Sequence, residues 1–111
     1  MKRLLLLLLF IPLISFGQTS SEYFQSGNDK NENGDYYGAI SDYNKAIELN
    51  PDYAIIYYNR ARAKRKLEDY YGAIADLTKT IELNPADFSA YYNRGGIKKV
   101  LKDYERSIPY F

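Results

Sequence analysis

The 111-residue chain contains no cysteine and no histidine. It therefore cannot form disulfides, thiolate or imidazole metal sites, or Ser-His and Cys-His catalytic pairs. A charge excess of one sign is also missing, because fifteen basic residues stand against fourteen acidic ones. Domains that bind nucleic acid usually carry a clear basic excess, so the composition argues against a nucleic-acid partner.

The first seventeen residues form the pattern of a secretory signal peptide. Two basic residues precede an apolar run of eleven residues, 4–14, which is interrupted by one proline. Ser15 and Gly17 then place small side chains at the −3 and −1 positions of a cleavage before Gln18. The run is too short to span a bilayer comfortably. We expect residues 1–17 to be removed on export, and the alternative is an uncleaved N-terminal anchor.

This leader resembles those of envelope proteins from Gram-negative bacteria of a Bacteroidetes-like type, which implies a location in the periplasm or the outer cell envelope. Without it, 94 residues remain, with thirteen basic and fourteen acidic side chains and a net charge of −1. That length allows one small domain with a modest core. An exported domain without cysteine must be held together by packing alone.

The rest of the chain repeats itself at an offset of 34 residues. Positions 35–51 align without a gap with positions 69–85, and thirteen of the seventeen residues are identical. The same offset carries Tyr-Tyr-Asn-Arg at 57–60 onto 91–94. Such a period is typical of proteins built from stacked structural repeats. The units are about 20–53, 54–87 and an incomplete 88–111.

Apolar residues in each unit are spaced by three and four positions, which predicts two helices and no strand. Asp69 is expected to cap the second helix by accepting free backbone amides. Asn84-Pro85 should end that helix, because a residue before proline is disfavoured in the α region. In the third unit the second helix is predicted to begin near Asp103 and would contain Pro109. A short helix pair buries its apolar face only against stacked copies. We therefore expect an all-α solenoid of about two and a half repeats.

The pattern resembles the tetratricopeptide repeat. The resemblance rests on a large aromatic in the first helix, a small residue where the two helices touch, an aromatic that opens the second helix, a large residue that follows a small one on that helix, and a closing proline. The large aromatic is Tyr23, Tyr57 and Tyr91, and the small residue between the helices is Gly27, Ala61 and Gly95. The aromatic that opens the second helix is Tyr36, Tyr70 and Tyr104. The large residue on the second helix is Tyr43, Leu77 and Phe111, which follows the small residue Ala39, Ala73 and Ser107. The closing proline is Pro51 and Pro85.

Two departures from the family pattern concern charge and size. Arg60 and Arg94 stand where the pattern prefers leucine, and each could pair with Asp42 or Asp76 at matching places on the second helices. Thr80 replaces the preferred alanine, which indicates mild overpacking. The recurrence of the two aspartates at the repeat offset favours a structural role over catalysis, so we expect neither an enzyme nor a cofactor.

The resemblance implies that the first helices line a concave groove for a protein or peptide partner. Tyrosine, asparagine and arginine are suited to such contacts. The expected groove residues are Phe24, Gln25, Asn28, Tyr58, Asn59, Arg62, Arg65, Tyr92, Asn93 and Lys99.

Some family members grip a C-terminal carboxylate with an early lysine and an asparagine four residues later. Phe24 and Asn28 occupy those places, so this mode of binding is not expected here. The basic cluster Arg60, Arg62, Lys64, Arg65 and Lys66 is consistent with an acidic partner, an anionic lipid surface or simple solvation.

Other interpretations remain open. The chain can be the N-terminal part of a larger repeat protein with a structural role, because no polar capping helix follows the third unit. Self-association through the C-terminal end is an alternative, and so is a membrane-associated module held by an uncleaved leader, which is not favoured. Residues 29–34 begin like a calcium-binding loop, but its twelfth position is Ile40 instead of glutamate, so no metal site is expected.

Overall fold

A computed structural model describes residues 17–108. The predicted leader up to position 16, Pro109 and Phe111 lie outside the described residues. The described part consists of five α-helices and contains no strand. They are α1 (Ser20–Glu32), α2 (Tyr36–Leu49), α3 (Ala54–Lys66), α4 (Tyr70–Leu83) and α5 (Phe88–Ser107).

The helices stack as pairs along the chain. α1 packs against α2 and α3 packs against α4, while α3 also contacts α2 and α5 contacts α4. Each pair covers the apolar face of its neighbour, as short repeat units require. The predicted all-α solenoid is confirmed.

The repeated Asp-Tyr-Tyr-Gly sequence starts both second helices. Oδ1 of Asp35 accepts a hydrogen bond from the backbone N of Gly38 at 3.0 Å, and Asp69 accepts the same bond from Gly72 at 3.0 Å. A Cβ atom at either glycine would collide with the capping carboxylate. This explains why glycine stands three residues after each aspartate, and the predicted cap at Asp69 is confirmed. Both helices end directly before an Asn-Pro pair, as predicted.

The third unit does not contain the predicted break near Asp103, because α5 continues to Ser107. In the first two units, Gly34 and Glu68 take positive φ angles of 83° and 62° at the turn between helices. The residue at the matching place in the third unit is Lys102. A left-handed conformation is costly for a residue with a Cβ atom. Lys102 avoids it by remaining helical, so the prediction of a separate helix is wrong.

Two buried clusters form the core. One lies between the first two repeats, and the other joins α3, α4 and α5. The first consists of Ala39, Tyr43, Ala46, Ile56 and Ala63, and the second of Ala61, Ala73, Leu77, Ala90 and Ile97. Burying a large apolar side chain stabilises a fold by about 1.5–3 kcal/mol, so Ile56 and Leu77 contribute strongly.

Small and large side chains complement each other where paired helices touch. A Cβ atom on Gly27 would lie 2.7 Å from Cε1 of Tyr43, so only glycine fits beneath this ring. In the next repeat, Ala61 stands at the position of Gly27, and Leu77, which is smaller than tyrosine, stands at the position of Tyr43. Both belong to one buried cluster. Thr80 is fully buried, and its hydroxyl donates to the carbonyl oxygen of Asp76 at 2.9 Å. That bond satisfies the additional polar atom that threonine introduces.

A buried ion pair joins α3 to α4. Nε and NH2 of Arg60 contact the Asp76 carboxylate at 2.8 and 2.7 Å, and Nζ of Lys64 lies 3.0 Å from Oδ2. NH1 of Arg60 donates to Oδ1 of Asn44 in the preceding repeat at 2.8 Å. Arg60 therefore links three helices, and its predicted pairing is confirmed.

The corresponding prediction for Arg94 is wrong. NH1 of Arg94 donates to Oγ1 of Thr78 at 3.2 Å, which repeats the contact between Arg60 and Asn44. It pairs with neither Asp42 nor Asp76. The residue 34 positions after Asp76 is Tyr110, which is not an aspartate.

Asp42 has a different set of partners. The Ser26 hydroxyl donates to Oδ2 at 2.6 Å, and Nζ of Lys30 lies 2.9 Å from the same oxygen. Burial alone would raise the pKa of the Asp42 carboxyl, but the Ser26 and Lys30 contacts outweigh it and hold that pKa below its usual range. The hydrogen bond to Asp42 in turn raises the pKa of Lys30.

Candidate concave binding surface

A shared amide oxygen connects the first two repeats. Oδ1 of Asn28 accepts hydrogen bonds from the Tyr43 hydroxyl at 2.7 Å and from Nδ2 of Asn59 at 3.0 Å. Burial raises the pKa of Tyr43 to about 12, so its hydroxyl remains a donor at neutral pH. The two asparagine side chains are thereby fixed in position next to each other.

The next repeat uses a different contact at the same register. Nδ2 of Asn93 donates to the hydroxyl of Tyr58 at 2.6 Å. Asn59 is the repeat equivalent of Asn93, but the equivalent of Tyr58 is Phe24, which has no hydroxyl. Asn59 bonds to Asn28 instead, and the Phe24 ring packs 6.1 Å from the ring of Tyr43. The polar contact between repeats therefore differs together with two positions, since Phe24 is replaced by Tyr58 and Asn28 by Arg62 in the next repeat.

Three pockets share these residues. Arg62 and Arg65 line both of the two smaller pockets, and Arg65 also lines the largest one. The first of the two smaller pockets has a volume of about 340 Å³ and is lined by Asn28, Asn31, Glu32, Tyr36, Asn59, Arg62, Arg65 and Lys66. The second, of about 260 Å³, is lined by Tyr58, Ala61, Arg62, Arg65, Leu77, Asn93 and Ile97. The largest, of about 860 Å³, includes Tyr70, Tyr92, Asn93, Gly96, Lys99 and Val100.

The shared linings place eight of the ten expected groove residues along one surface. We call these three pockets together the concave surface. Phe24 and Gln25 are separate from it, since they line a pocket of about 230 Å³ with Tyr53 and Ile55. At the other end of the surface, Tyr92 is 83% exposed.

Several lining residues were not expected from the sequence. Asn31, Glu32 and Tyr36 complete the pocket around Asn28, and Tyr70 borders the largest pocket. Tyr36 and Tyr70 recur at the repeat offset as the aromatics that open the second helices. Both are only partly buried, so each packs with one side and faces a pocket with the other. Nothing in the sequence pattern distinguishes Asn31 as a pocket residue.

The basic cluster of α3 divides between two roles. Arg60 and Lys64 are engaged with Asp76. Arg62, Arg65 and Lys66 are exposed and line the concave surface. The cations available to a ligand therefore lie on one side of the helix, next to the asparagine side chains.

The surface offers hydrogen-bond donors and acceptors together with positive charge. Asparagine amides can bond to both groups of a peptide backbone, and arginine matches the geometry of a carboxylate. Over residues 17–108, no group of three or more acidic side chains is placed to hold a metal ion. Residues 29–32, at the start of the calcium-like segment, form the last turn of α1. None of the helices that the structure describes is long and apolar enough to cross a membrane.

Comparisons with known proteins agree with this architecture. Residues 27–67 match the sequence profile "TPR repeat", and residues 54–87 match the profile "Tetratricopeptide repeat". A search of curated proteins found no match.

Similar solved structures include several tetratricopeptide domains. The first TPR of Spaghetti (RPAP3), bound to the HSP90 peptide SRMEEVD, is 28% identical with a TM-score of 0.72, over 80% of this chain and 72% of that one. The Arabidopsis OM64 TPR domain is 30% identical with a TM-score of 0.74, over 78% and 72%. The TPR2B-domain:pHsp70-complex of yeast Sti1 is 31% identical with a TM-score of 0.72, over 78% and 70%. The chain belongs to the tetratricopeptide-repeat family, because it has the 34-residue period, the paired helices and these matches.

Proposed function

We propose that the concave surface binds an extended, acidic segment of a partner protein, and that the protein is a non-catalytic adaptor or scaffold. The observation that carries the proposal is the position of Arg62 and Arg65. Both line the two pockets that also contain the fixed asparagine side chains of the first helices.

The chemistry of the surface favours a peptide. Asn28, Asn59 and Asn93 lie in the first, second and third repeats, so an extended backbone lying across the surface would meet an amide in each repeat. Arginine binds a carboxylate through two parallel hydrogen bonds, which gives geometry as well as attraction. Acidic side chains at two points of the peptide would therefore set its register against Arg62 and Arg65.

The structural neighbours support a peptide ligand. Two TPR domains of Spaghetti are bound to the HSP90 peptide SRMEEVD, which contains three acidic residues. In this chain Phe24 stands where the family's carboxylate-gripping lysine would be. We therefore propose that internal acidic side chains, more than a free C-terminal carboxylate, provide the affinity.

The test is a selection from a random peptide library displayed on phage, with the protein as bait. We expect peptides rich in aspartate and glutamate. The dissociation constants of the strongest binders are then measured by fluorescence anisotropy for the wild type and for Arg62→Glu/Arg65→Glu. Reversing two charges next to the peptide should weaken binding at least tenfold, or about 1.4 kcal/mol.

A matched control is Lys45→Glu/Lys79→Glu. These lysines lie on α2 and α4 and line none of the three pockets. This pair makes the same change in net charge and should leave the dissociation constant within twofold. Selection of peptides without acidic residues, or equal losses in the two double variants, would reject the proposal. Amidation of the peptide C-terminus should change the dissociation constant less than threefold.

We also propose that the protein acts outside the cytoplasm, in the cell envelope. The support is the signal-peptide pattern of residues 1–17, with small side chains before Gln18. N-terminal sequencing of the protein from its native host should find Gln18 as the first residue. An N-terminus at Met1 in the membrane fraction would instead favour the uncleaved anchor.

A further inference from the structure

A fourth pocket, which we call the apolar pocket, lies where α1 and α3 begin. It has a volume of about 230 Å³ and is lined by Ser20, Ser21, Phe24, Gln25, Tyr53, Ile55 and Ile56. None of these residues carries a charge. Pockets for drug-sized molecules usually measure about 300–1,000 Å³, so the apolar pocket has the size for one large side chain.

The core does not require the two most exposed apolar residues of this pocket. Tyr53 is 56% exposed and Ile55 is 50% exposed, whereas Ile56 beside them is buried. At the repeat offset of 34, the third unit has Asp87 in place of Tyr53 and Ser89 in place of Ile55. The helix that follows these polar residues still packs on its neighbour. Packing between repeats therefore does not explain why the second unit exposes two large apolar side chains to water.

The apolar pocket continues into the polar pocket that contains Asn28 and Arg62. On α3, Asn59 and Arg62 follow Ile55 by four and seven positions, and on α1 Asn28 follows Gln25 by three. Residues with these spacings lie on one face of a helix. The two pockets are therefore the two ends of one groove between α1 and α3. One end is uncharged, and the other is lined by three cations and one carboxylate.

We propose that the segment bound at the concave surface also inserts a large apolar side chain into the apolar pocket. This inference rests on the proposed function, because Arg62 is taken to hold an acidic side chain of the same segment. The groove indicates the occupant, since a peptide held at Arg62 reaches the apolar pocket by continuing between the two helices. The sequence that the protein recognises therefore combines an acidic residue with an apolar one at a fixed distance.

Helix geometry gives that distance. A helix advances about 1.5 Å per residue, so Ile55 and Arg62 are separated by about 10 Å along α3. An extended or polyproline II peptide advances about 3.1–3.4 Å per residue, so about three residues cover this length. We expect a large apolar residue roughly two to four positions from an aspartate or glutamate, whichever direction the peptide runs.

The test begins with the acidic peptides selected on the wild-type protein. Aligned on the acidic residue, they should show leucine, isoleucine, methionine or phenylalanine enriched at one fixed position. Fluorescence anisotropy then compares the wild type with Tyr53→Ser/Ile55→Ser. Serine at position 53 can cap α3, and both native side chains are half exposed, so the variant should fold. Binding should weaken at least tenfold, because the apolar side chain of the peptide is no longer buried.

A matched control is Tyr37→Ser/Leu49→Ser. It also removes one exposed tyrosine and one exposed aliphatic side chain, but these lie on α2 and line none of the four pockets. The dissociation constant should stay within twofold of the wild-type value.

A change in the peptide provides a second measurement that leaves the protein intact. Alanine in place of the apolar residue of the peptide should weaken binding to the wild type at least tenfold. The same alanine peptide should bind Tyr53→Ser/Ile55→Ser about as well as the parent peptide does, because the two changes remove the same contact.

The possible failures are distinguishable. Acidic peptides that depend on Arg62 and Arg65 but lose no affinity on the alanine change would reject the apolar pocket and leave the proposed function standing. Equal losses in the two double serine variants would also reject it, because the effect would not be local to the pocket. Selection of peptides without acidic residues would reject both proposals.

Discussion

Arg60 grips Asp76 with two hydrogen bonds of 2.7 and 2.8 Å, whereas its repeat equivalent Arg94 has no carboxylate partner within residues 17–108. Arg60→Met should therefore be far more costly than Arg94→Met. Arg60→Met leaves the Asp76 carboxylate, which is 5% exposed, with Lys64 as its remaining cationic partner. Breaking such a buried pair costs about 3 kcal/mol of the free energy of unfolding.

The measurement is urea denaturation followed by circular dichroism. Arg94→Met is the matched control and should cost less than about 1 kcal/mol, because it removes a partly exposed hydrogen bond. Equal losses in the two variants would show that the carboxylate contact does not determine the role of Arg60.

The contact between Gly27 and Tyr43 predicts a second effect. Gly27→Ala should destabilise the protein by about 1–3 kcal/mol, as expected when a methyl group is forced against a packed ring. In a Tyr43→Leu background, which copies the Ala61 and Leu77 pair of the next repeat, the same change should cost less than about 1 kcal/mol. Thermal unfolding of the four proteins gives the comparison. An identical cost in both backgrounds would contradict the steric explanation.

Glu68 is the one described residue other than glycine with a positive φ angle. Glycine adopts this conformation without the penalty that a Cβ atom brings, although it loses more entropy on folding. Glu68→Gly should therefore stabilise the protein by about 0.5–1 kcal/mol. Glu68→Ala keeps the Cβ atom and should give no comparable gain. A destabilised Glu68→Gly protein would contradict this account of the turn.

The pKa of Asp42 predicts a dependence of stability on pH. Because that pKa is lower in the folded protein than its usual value, the ionised carboxyl stabilises the fold above about pH 4. This contribution is lost as the pH falls through the folded pKa. Asp42→Asn should therefore flatten the decline in the free energy of unfolding between about pH 5 and 2.5. The measurement is urea denaturation at a series of pH values, and an unchanged decline would rule out this linkage.

Local features of the sequence were enough to predict the helix pairs and most of their ends. Asp69 and the Asn-Pro pairs act through the neighbouring backbone, so their effects can be read without tertiary structure. The helix break predicted near Asp103 is absent, because it would require Lys102 to take the positive φ angle that Gly34 and Glu68 take at the equivalent turns. The repeat pattern also led to the wrong partner for Arg94. Arg60 bonds to Asp76, but the repeat equivalent of Asp76 in the third unit is Tyr110.

The candidate site was predictable in its positions but not in its contacts. The family register indicated Asn28, Asn59 and Asn93 as groove residues. It did not indicate that Tyr43, a core residue, donates to Asn28, or that Asn59 bonds to Asn28 whereas Asn93 bonds to Tyr58. Such contacts depend on side chains from helices in different repeats, which no spacing within one helix reveals.

The central claim is that Arg62 and Arg65 contact acidic side chains of a bound peptide. A double-mutant cycle by isothermal titration calorimetry tests it most directly, with the strongest acidic peptide from the selection and its lysine-substituted form. Wild type and Arg62→Glu/Arg65→Glu are each titrated with both peptides. We predict a coupling energy of at least about 1 kcal/mol, with the charge-reversed protein preferring the charge-reversed peptide. A coupling energy near zero would mean that the arginines do not contact these acidic side chains, and would contradict the account.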